Sequence, residues 1–125
     1  MTATFSPRDP GHLVHVDVVP HGTTLRLTVR GEVDSSSAPV LERHLDAAFA
    51  GTTEELVVDL REVTFLDSAG LCVLANAHRR AAEQKATMRV LAATRAVVRP
   101  LQITGLWSLL GAEQIDEDSA GRVVA

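Results

Sequence analysis

Tyrosine is missing from this sequence, and one tryptophan and three phenylalanines are its only aromatic residues among 125. So sparse a set leaves few faces on which bases or sugars can stack. Excess positive charge is missing too. Twelve Lys and Arg stand against sixteen Asp and Glu, a formal net charge of -4, and no basic stripe offers a footprint for a nucleic-acid backbone or an anionic membrane. The reading is no nucleic acid and no membrane, which leaves a protein as the partner. Cysteine occurs once, at Cys72. One thiol makes neither an internal disulfide nor a thiolate metal cage, and it suits a reducing, cytoplasmic setting. Long apolar runs are also absent. The first twenty residues hold Pro7, Asp9, Pro10 and Asp17, so they read as neither a secretory signal nor a membrane span.

The usual cradles for phosphate, G-x-x-x-x-G-K-[ST] and G-x-G-x-x-G, do not occur. No cofactor is expected, and ATP, if used, is held by another protein. The histidines His12, His15, His21, His44 and His78 include no i, i+4 pair and no H-E-x-x-H, so no metal site is expected.

What is present is ordinary globular composition, 46% hydrophobic and 22% charged, in a length that fits one domain. Residues 1–12 read as a loose arm, residues 13–112 as the domain, and residues 113–125 as a tail with a short edge strand at Gln114-Ile115. Residues 13–19 alternate, with Val14, Val16 and Val18 on one side, and Leu25, Leu27 and Val29 repeat the pattern. The intervening Pro20-His21-Gly22-Thr23 supplies turn chemistry, so these strands form an antiparallel hairpin. After Ser35-Ser36-Ser37-Ala38-Pro39, an entry with capping residues and an early proline, Leu41, Leu45, Ala48 and Phe49 mark an amphipathic helix ending at Gly51. Residues 56–60 are nearly all apolar and read as a central strand covered on both faces.

A second helix opens at Asp67-Ser68-Ala69-Gly70 with Leu71, Leu74, Ala75, His78 and Ala82 as its inward stripe. Residues 88–91 form a strand, residues 95–103 a helix weakened by Pro100 and closed by Gly105, and residues 106–110 one more turn. Strand, helix, strand in this order makes the class α/β: a mixed four- to five-stranded sheet with an N-terminal antiparallel hairpin and three to four helices, mainly on one face.

The chemistry concentrates at residues 67–70. Asp or Ser at a helix start satisfies backbone N–H groups that lack helical partners, and capping is the first reading. The same geometry suits a second one. A phosphoryl group on Ser68 adds about -1.5 to -2 charges, which the positive end of the helix dipole tolerates. A serine nucleophile fits less well: the first glycine of G-x-S-x-G is missing, and His78 lies about 15 Å further along the helix, too far to act as its base. The protein therefore reads as a binding module rather than an enzyme. Cys72, one turn on, reads as core filler or, if exposed, as a thiol near the helix dipole.

Gly31-Glu32-Val33-Asp34, residues 56–60 and residues 63–71, with the D-S-x-G turn at their centre, resemble the STAS family, most closely its bacterial anti-sigma-factor antagonists. The likeness spans residues 13–110. It implies a protein that, when unphosphorylated, binds an anti-sigma factor which is itself an ATP-dependent serine kinase, and so releases a sigma factor. Phosphorylation of Ser68 breaks that complex, and a PP2C-type phosphatase restores it. On that pattern Asp34, Asp67 and Gly70 shape the site, while Ser35, Ser36, Ser37, Ala38, Ala69 and Leu71 form the docking surface of a monomer or weak dimer. The alternative is an unphosphorylated STAS scaffold, or a subunit of a transport or lipid-trafficking system. Two positions depart from the family: Ala69 stands where relatives often carry a second serine, and Cys72 where they often carry glycine.

Overall fold

The computed structural model describes residues 14–115. The arm read at residues 1–12 and the tail beyond Ile115 lie outside the described residues. Strand β1 (Val14–His21) pairs antiparallel with β2 (Thr24–Val33), from Val14 opposite Gly31 to His21 opposite Thr24. Only Gly22 and Thr23 separate them. Gly22 has φ 64°, the left-handed conformation that a two-residue hairpin loop requires at its first position. Pro20 and His21, expected in the turn, instead extend β1, where a proline is tolerated because this strand is an edge of the sheet.

The remaining strands, β3 (Glu55–Leu66), β4 (Thr87–Ala92) and β5 (Glu113–Gln114), add in parallel, giving the order β1-β2-β3-β4-β5. Parallel neighbours need crossovers, supplied by α1 (Ala38–Phe49), α2 (Ser68–Glu83), and α3 (Arg95–Ile103) with α4 (Leu106–Leu109). Right-handed crossovers that all step the same way collect their helices on one face. On that face Leu27, Val58 and Val90 lie in register and are fully buried. They join Leu41 and Leu45 of α1, Leu74 of α2 and Leu101 of α3 in one core. Each such side chain contributes about 1.5–3 kcal/mol of burial.

Residues 56–60 are buried throughout, but the two faces of β3 are covered differently. Val57 and Asp59 stand outside the core cluster, with Val57 between Arg26 and Arg89 in the register. The Asp59 carboxylate accepts from Arg61 Nε at 2.9 Å, Arg61 Nη2 at 2.8 Å and Arg26 Nη2 at 2.7 Å. Arginine side chains, whose apolar stems pack over aliphatic neighbours, close this face.

Two further elements differ from expectation. β3 runs twelve residues to Leu66 rather than stopping at Leu60, because its partner register slips twice, between Thr28 and Arg30 and between Gly31 and Glu32. Each slip is a bulge that inserts one extra residue in β3. In α2 the buried residues are Gly70, Leu71, Val73, Leu74, Ala77 and Ala81, while Ala75 and His78 are only partly buried and Ala82 is exposed. The stripe is rotated because α2 packs on α1 as well as on the sheet. Cys72 falls on the exposed side and is not core filler.

Candidate functional site

β2 and β3 end together. Val33 lies opposite Leu66, and the Asp67 N–H donates to the Val33 carbonyl at 3.1 Å. The segments after the two strands are therefore neighbours at one end of the sheet. After β3 the chain turns directly into α2. Asp67, in extended conformation, is the N-cap; its Oδ1 accepts from Ala69 N at 2.9 Å and Gly70 N at 3.4 Å. That cap is worth about 1 kcal/mol. Because Asp67 does the capping, Ser68 need not. Ser68 is the first residue of α2 and is exposed, and its hydroxyl makes no hydrogen bond among the described residues.

After β2 the turn is knitted by Asp34. Its Oδ1 accepts from Ser36 N at 2.9 Å, Ser36 Oγ at 2.7 Å and Ser37 N at 3.1 Å. The Ser36 hydroxyl bond is the main cause holding the Asp34 carboxyl below its ordinary value, with the backbone N–H groups of Ser37 and Ser36 adding to it against some desolvation. Ser37 is fully buried; its hydroxyl donates to the Glu32 carbonyl at 2.8 Å and accepts from Asp34 N at 3.0 Å. With its single proton committed to Glu32, the 3.2 Å approach of Ser37 Oγ to Asp34 Oδ1 is a close contact rather than a second donation. Although Ser37 is the N-cap position of α1, it makes no side-chain cap bond. The helix entry read into the serine run is thus built around the Asp34 carboxylate.

Gly70 is where the two segments meet. A Cβ on it would lie 2.5 Å from Leu66 Cδ1 and 2.8 Å from Val33 Cγ1. Only a residue without a side chain lets the first turn of α2 settle onto the ends of both strands.

The ten residues singled out in the sequence divide accordingly. Asp34, Asp67, Ser68 and Gly70 come together. Ser35 and Ser36 are exposed beside them, and Ala69 is partly buried. Ser37, Ala38 and Leu71 are 0%, 3% and 9% exposed, so they lie beneath the exposed residues of this end. Ala38 opens α1 and Leu71 lies on the inner side of α2, which is why packing claims them. His78 is ten residues from Ser68 on the same helix, and among the described residues no three His, Cys, Asp or Glu side chains are grouped to hold a metal.

One part of this end of the molecule was not singled out. Phe65 is 47% exposed and Ile103 73%. With Leu66, Arg95, Arg99 and Pro100 they line an open groove of about 650 Å³ between β3 and α3. The signal in the sequence was the pair Thr64-Phe65, two outward residues in succession, which a strand without a bulge does not give.

No helix among the described residues is long and apolar enough to cross a membrane. The family model described as "Mlab, STAS domain" matches residues 16–111. The anti-sigma-F factor antagonist RsfB of Mycobacterium tuberculosis is 32% identical over 93 residues, covering 74% of this chain and 75% of that protein. The anti-sigma-B factor antagonist of Bacillus subtilis is 28% identical over 97 residues, covering 78% of this chain and 88% of that one. A crystal structure of an anti-sigma factor antagonist from Mycobacterium paratuberculosis has a TM-score of 0.75 at 32% identity, covering 89% of this chain and 93% of the other. The chain belongs to the STAS domain family, and within it is similar to the anti-sigma factor antagonists.

Proposed function

We propose that this protein is a cytoplasmic anti-sigma factor antagonist switched at Ser68. Unphosphorylated, it binds a kinase-type anti-sigma factor and so frees a sigma factor. The observation that carries this reading is the exposed Ser68 hydroxyl at the first position of α2, unpartnered among the described residues, with capping already supplied by Asp67. Ser35, Ser36 and Ala69 adjoin it as the contacting surface, with Asp34, Asp67 and Gly70 giving the two segments their shape.

The partner brings ATP. Ser68 Oγ attacks the γ-phosphorus as the bond to the β-phosphate oxygen breaks; ADP leaves, and the hydroxyl proton passes to a base on the kinase. The product places a dianion at the positive end of α2, which the helix dipole accommodates within this protein. Across a water-excluding interface the same charge has no partner and costs several kcal/mol, so the complex dissociates. A PP2C-type phosphatase hydrolyses the ester and restores the binding form.

The test is to incubate the protein with ATP and the purified kinase-type anti-sigma factor, then map phosphate by mass spectrometry. Phosphate on Ser68, and none in Ser68→Ala, is the expected result. Phosphate elsewhere or nowhere, with recovery of transport subunits and no kinase in a pull-down, would instead support the unphosphorylated scaffold.

A further inference from the structure

β1 is one edge of the sheet, and among the described residues no strand pairs with its outer side. The hairpin fixes which backbone groups are left over. His21 and Thr24 close the two-residue loop as a hydrogen-bonded pair, so His15, Asp17 and Val19 also spend their N–H and C=O groups on β2. Val14, Val16 and Val18 point theirs outward. An eight-residue edge of this kind is a template for another strand, and Val18 is 45% exposed along it. The opposite edge offers far less, since β5 is two residues long.

A second copy of β1 fits this template, and its own sequence selects one antiparallel register. Outward residues must face outward residues, so the two-fold axis relating the copies passes through a residue of β1. An axis at Asp17, Val18 or Val19 sets Pro20, which has no N–H to give the ladder, opposite Val14, Val16 or Val18. At Asp17 it also sets two carboxylates face to face. An axis at Val14 or His15 engages a shorter run of the described strand. An axis at Val16 engages all of Val14 to Val18: Val14 faces Val18, Val16 faces itself, and His15 faces Asp17. That last pair sets an imidazole donor against a carboxylate in both halves of the contact. Within one copy the Asp17 carboxylate already accepts from Arg30 and lies 3.2 Å from His15 Nε2. The pairing therefore brings together two groups that each hold an acid among bases, with no like charges opposed across the strands.

We propose that this edge pairs with a second copy of the chain, β1 joining β1 antiparallel about Val16 so that the two sheets become one. The contact uses neither Ser68 nor its neighbours and does not rest on the proposed switch. One short strand from each copy makes a small interface, so the dimer is weak and depends on concentration.

The test is sedimentation of the full chain from micromolar to millimolar concentration, under reducing conditions so that the exposed Cys72 forms no bridge. Monomer should pass to dimer, and isotope-filtered NMR of a mixed-label sample should show Val14 methyls of one copy against Val18 methyls of the other. Val18→Pro removes an outward N–H and leaves the β2 side intact, so the fold should persist by circular dichroism while association weakens roughly tenfold or more. Asp17→Lys alone and His15→Glu alone should weaken association as well. His15→Glu/Asp17→Lys should restore it, because acid and base then exchange places across the pair. A chain that sediments as monomer throughout, a dimer that Val18→Pro leaves unchanged, a charge exchange without recovery, or intermolecular contacts that map away from β1 would overturn the proposal.

Discussion

Asp67 and Val33 are joined by a single backbone hydrogen bond, Asp67 N–H to the Val33 carbonyl at 3.1 Å, and it is the last rung between β2 and β3 before both strands turn away. Everything at this end of the molecule is positioned from it. The Asp67 side chain then caps α2, which makes that residue both the end of a ladder and the start of a helix. Asp67→Ala keeps the backbone rung but leaves two helix donors unpaired, and should lower unfolding stability by about 1 kcal/mol. For a domain of this size that is a fall in Tm of roughly 4–8 °C. Asp67→Asn, which keeps an accepting oxygen, should lose much less; calorimetry of the two variants separates the cases.

Gly70 offers a sharper steric test. A methyl group there meets Leu66 Cδ1 at 2.5 Å and Val33 Cγ1 at 2.8 Å, and both neighbours belong to the core. Gly70→Ala should destabilise by about 1–3 kcal/mol, the usual cost of forcing extra volume into a packed site. Val33→Ala removes one of the obstructing methyls, so the double variant should be more stable than the sum of the two single losses predicts. Urea denaturation of the four proteins gives the coupling directly; strict additivity would mean that α2 shifts to avoid the clash.

The arginine clamp sets the acid limit of the fold. Burial of Asp59 opposes its ionisation, but donors from Arg61 and Arg26 outweigh that and hold its carboxyl below the ordinary value. A carboxyl lowered in the folded state contributes stability that is present above its unfolded pKa, about 3.9, and is lost as pH falls through the folded value. Asp34 and Asp17 are lowered as well, the latter chiefly by its bond to Arg30. Stability should therefore hold down to about pH 4 and then fall steeply. Asp59→Asn should flatten that fall, and Asp59→Ala, which removes the acceptor shared by two half-exposed arginines, should cost about 1–3 kcal/mol at neutral pH. Denaturant midpoints measured across the acid range decide it.

Much of this fold was legible because its signals are local. The alternation of Leu25, Leu27 and Val29, the Gly22 turn and the Ala38-Pro39 entry each encode their element within a few residues, and the structure has all three. The second half of β3 was not legible for a physical reason. Leu60, Val63 and Leu66 are its inward residues, spaced by three because each bulge adds a residue to a period of two, and a spacing of three imitates a helix. Those bulges answer the register of β2, which is information from another strand. The site divides in the same way. Asp67 and Ser68 stood out because a strand-to-helix turn is local chemistry, whereas the burial of Ser37, Ala38 and Leu71 depends on how α1 and α2 seat on the sheet.

Lys85 is the one described residue other than glycine with positive φ, at 59°, just past the C-cap of α2 at Gln84. A side chain in that conformation costs roughly 1 kcal/mol, and helices favour glycine there. Lys85→Gly should raise stability by up to about 1 kcal/mol without altering the far end of the domain that carries Ser68. Thermal unfolding tests the gain; a loss would mean that the lysine side chain makes a contact that outweighs the strain.

Ser68 itself should be nearly silent in stability. Ser68→Ala removes an exposed hydroxyl with no intramolecular partner among the described residues and should change unfolding by less than about 0.5 kcal/mol. In the proposed switch its weight lies in association. The most direct measurement is calorimetric titration of the kinase-type anti-sigma factor with this protein, once unphosphorylated and once quantitatively phosphorylated on Ser68. Tight binding is expected in the first case and, from an uncompensated charge costing several kcal/mol, an affinity roughly 100-fold weaker or worse in the second. Equal affinities for the two forms would contradict it.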